Sequence, residues 1–96
     1  MIRVGIVDDH AIVRTGLRQF LAEHIDLRVT GEAANGAEAL EMVRRNDLDV
    51  LVMDLAMPGQ SGVDALAAIR ACTPTLPVLI LSSFPEQHFA TALLRQ

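Results

Sequence analysis

Lysine is absent from this 96-residue chain: all eight of its basic residues are arginines. Set against 12 acidic residues they leave a formal net charge of −4. Gripping a phosphate backbone takes clustered Lys and Arg, so direct nucleic-acid binding by this segment is not expected. Cysteine is nearly absent as well. Cys72 stands alone, which rules out an internal disulfide and suits a reducing compartment. Close to a helix end, it reads as a small buried hydrophobe. No apolar run approaches the roughly 20 residues that span a bilayer. The N-terminus also lacks the charged, apolar and small-residue order of a signal peptide. A soluble, cytoplasmic protein with no membrane contact is expected. With 51% hydrophobic residues, a chain of this length reads as one domain over residues 1–96, with one core and little stability to spare.

What the chain does contain is a set of short apolar runs that end on polar residues. Val50-Leu51-Val52-Met53 ends on Asp54, Val4-Gly5-Ile6-Val7 ends on Asp8 and Asp9, and Val78-Leu79-Ile80-Leu81 ends on Ser82 and Ser83. Runs of this kind fit strands covered on both faces. Leu27 to Glu32 alternates apolar and polar residues, as a half-exposed edge strand does. Between the runs, helical spacing recurs. Val13, Leu17, Phe20, Leu21 and His24 mark a helix from Ala11 to about His24, with Arg14 and Arg18 free to face water. Asn35-Gly36 reads as a turn, followed by a helix over Ala37 to Arg45 with Ala39, Leu40 and Val43 inward. A third helix runs from about Val63 to Ala71 on Leu66 and Ile69. Two prolines break the chain at Thr73 to Pro77, and a fourth helix starts at Pro85. This alternation predicts an α/β fold with a parallel sheet of about four strands and four helices.

Ligands of open α/β sheets bind beyond the carboxyl ends of the strands. If the runs are parallel neighbours, Asp8, Asp9, Asp54 and Ser82 converge there. Three carboxylates so close repel one another and need either a cation or a retained proton. Oxygen donors alone favour a hard ion, and Mg²⁺ uses one or two carboxylates while keeping several waters. Asp8 and Asp9 would supply the site, Asp54 a further ligand, and the backbone carbonyl of Ala56 one more. Asp54 would also be the nucleophile, since a carboxylate can attack phosphorus when a metal draws off charge. Ser82 would hydrogen-bond the transferred group. Each has a plainer role open to it: helix capping for Asp8 and Asp9, a turn carboxylate for Asp54, local backbone bonding for Ser82. His10, beside an oxygen-rich site, reads as a surface histidine rather than a ligand or base.

Val7-Asp8-Asp9-His10, Asp54-Leu55-Ala56-Met57-Pro58-Gly59, Gly62 and Leu81-Ser82 resemble the receiver domain of bacterial two-component response regulators, and the likeness spans the whole chain. It implies a flavodoxin-like (CheY-like) doubly wound sheet. By this resemblance Asp8 and Asp9 bind Mg²⁺, Asp54 takes phosphate from a sensor histidine kinase, and Ser82 contacts the phosphate and switches. The run from Asp8 to Leu17 is similar to the NarL/FixJ subgroup, whose receivers precede a LuxR-type helix-turn-helix domain. The parent protein would then regulate transcription, reaching DNA through a C-terminal domain not among these residues. A receiver continues into a fifth strand carrying a lysine and a fifth helix, so the chain reads as truncated before both. A missing cation at a phosphoryl site costs roughly 3 kcal/mol by analogy with other active sites, which would make phosphotransfer slow in this piece.

Two other classes compete with the switch. A phosphatase of haloacid-dehalogenase type places a second Asp two residues after its nucleophile as acid and base; here that position is Ala56, so turnover is not expected and the chain does not read as an enzyme. A non-phosphorylatable binding or dimerisation fragment is the remaining alternative. An unpaired strand edge above an apolar flank of the first helix would favour a homodimer.

Overall fold

In the computed structural model, residues 1–45, 47–55 and 62–81 are described. They form β1 (Ile2–Val7), α1 (Ala11–Ala22), β2 (Leu27–Ala33), α2 (Gly36–Arg45), β3 (Val50–Asp54), α3 (Gly62–Cys72) and β4 (Val78–Leu81). The four strands make one parallel sheet in the order β2-β1-β3-β4. This is the expected α/β sheet, with β2 at an edge and β3 inside; the helix expected from Pro85 onward lies outside the described residues.

Period-two alternation explains the two apolar layers. From the central strands, Leu51 and Met53 point to one face and join Val7, Ile80, Ala39, Val43 and Ile69 beneath α2 and α3. Val52, with Val4 and Ile6, points to the other, where Leu17 and Leu21 of α1 close over it. Ile6, Leu51, Met53, Ile69 and Ile80 have almost no exposed surface; each contributes about 1.5–3 kcal/mol by leaving water. A run such as Val50–Met53 is apolar throughout because both of its faces are covered.

Local chemistry sets the helix starts. Asn35 is more than a turn residue: its Oδ1 accepts the Glu38 N–H at 2.9 Å, while Glu38 reaches back to accept the Ala34 N–H at 2.9 Å. Both bonds satisfy donors that a helix start leaves open. α1 has His10 at its N-cap and no side-chain cap, so capping is not what Asp8 and Asp9 provide.

Two expectations about burial need correction. Cys72 is exposed, because the buried stripe of α3 steps from Ala65 to Ile69 and on to half-buried Thr73, leaving Cys72 beside it. On α1, Phe20 lies largely in solvent at 60% exposure, and Val13 is 39% exposed. The apolar stripe is wider than the sheet contact, to which Leu17 and Leu21 contribute the partly buried residues.

Candidate functional site

Register brings the acidic residues together. Val7 pairs with Met53 across β1 and β3, so Asp8 and Asp54 leave the sheet side by side at its carboxyl edge. Both are buried, with 4% and 6% of their surfaces exposed. Asp8, Asp9, His10 and Asp54 each offer one ligand atom, and these four atoms lie within 4.8 Å of one another. Three of the five site residues named above therefore converge. Ala56 and Ser82 lie outside the described residues, although Leu81, which precedes Ser82, pairs with Asp54.

The loop after β1 is held from several sides. Asp8 N–H donates to the Ala33 carbonyl at 3.0 Å, tying the loop to β2. The Asp8 carboxylate accepts the His10 backbone N–H at 2.7 Å. Arg14 donates to the Asp8 carbonyl at 2.6 Å and pairs with Glu32 at 3.4 Å, while Arg18 takes the other Glu32 oxygen. Arg14 thus does not face water as expected. Helical side chains lean toward the helix N-terminus, so a long residue one turn into α1 reaches back over the loop.

His10 is also more than a surface residue. Its ring is 59% exposed, but Nδ1 lies 3.0 Å from one oxygen of Asp8 and 3.0 Å from one of Asp9. Hydrogen bonding to Asp8, then the charge of Asp9, raises the imidazole above its ordinary 6.5. The contact with Asp9 is one of charge only: Asp9 Oδ1 is shut off from solvent and accepts no hydrogen bond. A buried anionic oxygen without a donor is costly unless a cation meets it. That orphan, and a donor set dominated by carboxylate oxygens, fit a divalent ion. The only sequence signal for His10 is its place beside the acidic pair, which does not give the direction of its ring; Arg14 carries no signal of its own.

Gly62 fixes the far wall. A Cβ there would fall on the backbone of Leu55, the residue after Asp54, with the carbonyl carbon 2.7 Å away. The start of α3 therefore lies directly against the end of β3, a closeness only glycine permits.

Comparison with known proteins agrees with this architecture. The description of the response regulator receiver domain matches residues 4–96. The response regulator GacA of Pseudomonas viridiflava is 40% identical over 95 residues, covering 99% of this chain and 44% of its own length. A LuxR-family two-component response regulator from Aurantimonas sp. SI85-9A1 superposes with a TM-score of 0.84 at 34% identity, over 97% of this chain and 66% of that one. The isolated receiver of RcsB from Salmonella enterica serovar Typhimurium, solved with the phosphomimetic BeF3−, gives 0.83 at 29% identity, over 98% and 70%.

The chain belongs to the response regulator receiver domain family of two-component signalling, and its relatives are NarL/LuxR-type regulators. It spans less than half the length of the curated relatives it matches. Among the described residues no helix is long and apolar enough to cross a membrane.

Proposed function

We propose that the chain is a phospho-acceptor switch whose acceptor is Asp54. The phosphoryl group passes from a phosphohistidine of a sensor kinase to an Asp54 carboxylate oxygen. A P–O bond forms as the P–N bond breaks, and the imidazole leaves with that bond's electron pair. Asp8, Asp9 and Asp54, with the Ala56 carbonyl, would hold Mg²⁺, which when bound offsets the charge of the phosphoryl oxygens and the attacking carboxylate. Ser82 would donate its hydroxyl to a phosphoryl oxygen and carry the change outward. In a longer, cytoplasmic regulator this would set the activity of a DNA-binding helix-turn-helix domain.

The observation that carries this reading is the meeting of Asp8, Asp9 and Asp54 ligand atoms within 4.8 Å at one sheet edge. Nothing in folding requires three acidic groups there, and their repulsion opposes it. Burial of Asp54 to 6% adds that water is largely excluded from the acceptor, which strengthens any charge interaction made with it. The test is to incubate the full-length protein with acetyl phosphate and Mg²⁺ and measure intact mass. One added phosphate is expected, absent without Mg²⁺ and absent in Asp54→Asn; phosphate gained by Asp54→Asn places the acceptor elsewhere.

A further inference from the structure

We propose that the outer edge of β2 is a self-association surface, where a second copy of this chain adds its own β2 antiparallel, about a two-fold axis between Thr30 and Gly31. This surface is independent of the acidic pocket and of the function proposed above.

β2 ends the sheet order and pairs only with β1 among the described residues, so the backbone groups on its outer side have no strand beside them. Seven residues long, it contains neither the proline nor the lysine that commonly guard such an edge. An edge of this kind recruits another strand.

Which strand it recruits follows from the faces. Leu27 and Val29 pack with Val4 and Ile6 beneath α1, so Arg28 between them projects on the α2 side. The register then shifts, leaving Thr30 as an extra residue, and Gly31 pairs with Gly5, Glu32 with Ile6 and Ala33 with Val7. The shift turns Glu32 to the α1 side, where Arg14 and Arg18 hold it, and Ala33 to the α2 side. Residues opposed across an antiparallel pair share a face. The two-fold register that matches the faces sets Arg28 opposite Ala33, Val29 opposite Glu32 and Thr30 opposite Gly31.

Charge favours the same arrangement. β2 and α2 run in opposite directions, so the last turn of α2, with Arg45, comes level with the start of β2 and Arg28, while Glu38 comes level with its end. Arg28 is exposed and has no hydrogen bond or ion pair among the described residues; its own α2 offers it like charge. Beside the later half of β2 lies an open cleft of about 590 Å³, bordered by Thr30, Glu38, Glu41 and Met42. An antiparallel copy brings its Arg28 to Ala33, next to Glu38, whose Oε1 accepts the Ala34 N–H at 2.9 Å. Two-fold symmetry makes this contact twice. A parallel neighbour would instead set Arg28 beside the basic end of the other α2.

Sedimentation of the full-length protein over a concentration series tests this in the wild type, in Arg28→Glu, and in Arg28→Glu combined with Glu38→Arg. Hydrogen exchange of the amides of residues 28–33 locates the contact. The expected result is a dimer whose β2 amides exchange more slowly as concentration rises. Association should be at least about tenfold weaker in Arg28→Glu, where like charges meet, and should recover in the double variant. Asp54→Asn should leave it unchanged, because the contact does not touch that residue. Wild-type β2 amides that exchange at one rate at every concentration overturn the inference and leave the edge to another partner or to none. An Arg28→Glu protein that associates as the wild type does overturns it as well. If Glu38→Arg frays the start of α2, the exchange rates of the wild type and of Arg28→Glu still decide.

Discussion

The Arg14 guanidinium reaches back from α1 to donate to the backbone carbonyl of Asp8 at 2.6 Å, the residue whose side chain forms one wall of the acidic cluster. Its other contact, with Glu32 at 3.4 Å, leads to edge strand β2. Arg14 is therefore a positioning residue: it touches no ligand but braces the loop on which Asp8 and Asp9 sit. Arg14→Ala should lower Mg²⁺ affinity roughly tenfold, the range seen when support behind a metal ligand is removed. Lysine cannot replace the fork of donors, so Arg14→Lys should recover only part of the loss. Calorimetric titration checks both, and an Arg14→Ala protein with wild-type affinity would show that the loop holds itself.

Gly62 and Gly16 should respond in opposite directions to the same substitution. At Gly62 an added Cβ meets the Leu55 backbone, so the end of β3 must move. Gly62→Ala should cost about 1–3 kcal/mol, as overpacking does, and should displace Asp54 enough to slow phosphorylation. Gly16 lies inside α1 with nothing within 4 Å of its Cβ position. Gly16→Ala should stabilise by about 0.4–1 kcal/mol through helix propensity and a less flexible unfolded chain. Denaturant melts of the two variants give the comparison; equal destabilisation would mean the space at Leu55 is not what matters.

If the acidic pocket takes a divalent ion as proposed, binding should itself be a stability term, because the groups that would hold it, Asp8, Asp9 and Asp54, are brought together only by the fold. At a free Mg²⁺ concentration a hundred times its Kd, unfolding should require about 2.7 kcal/mol more, and EDTA should remove the gain. In Asp9→Asn the gain should shrink, since the buried Asp9 Oδ1 that lacks a donor is no longer anionic. Thermal melts with and without chelator measure this; a gain that survives in Asp9→Asn assigns it to another site.

The sheet and the acidic cluster were legible in the sequence for one reason. Val7-Asp8 and Met53-Asp54 each join a fully apolar run to a carboxylate, and parallel pairing of the runs brings both junctions to the same edge. What could not be read depended on where long side chains go. Arg14 sits among apolar residues of an amphipathic helix, where an arginine ordinarily faces solvent, and only its reach over the preceding turn shows its partner. His10 is adjacent to the cluster in sequence, but adjacency does not reveal a ring rotamer that faces both carboxylates. The exposure of Phe20 was hidden too, because periodicity gives the width of an apolar stripe and not the width of the surface that covers it. Gly62 was noticed in a motif, whereas the reason for it, contact with Leu55 seven positions earlier, exists only once α3 folds back.

At the opposite end of the sheet, Arg3 and Asp49 should give the fold an acid-sensitive lock. Asp49 Oδ2 accepts both the Arg3 backbone N–H at 2.7 Å and its Nε–H at 3.1 Å, and Asp49 N–H donates back to the Arg3 carbonyl at 2.8 Å. These bonds pin the start of β1 to the start of β3. Hydrogen bonds from Arg3 hold the Asp49 carboxyl below its ordinary 3.8. A carboxyl lowered on folding takes up its proton more readily in the unfolded chain. Its contribution is therefore fully present above pH 3.8 and is lost as pH falls through the lower folded value. Both side chains are well exposed, so the contribution is modest and weakened by salt. In Asp49→Asn the loss of stability between neutral pH and pH below 3.8 should be smaller than in the wild type, and the two proteins should converge at the acid end. Urea melts across that range decide it: parallel curves for the two proteins would mean that acid acts elsewhere, and that the Arg3 contact with Asp49 is held by its backbone bonds alone.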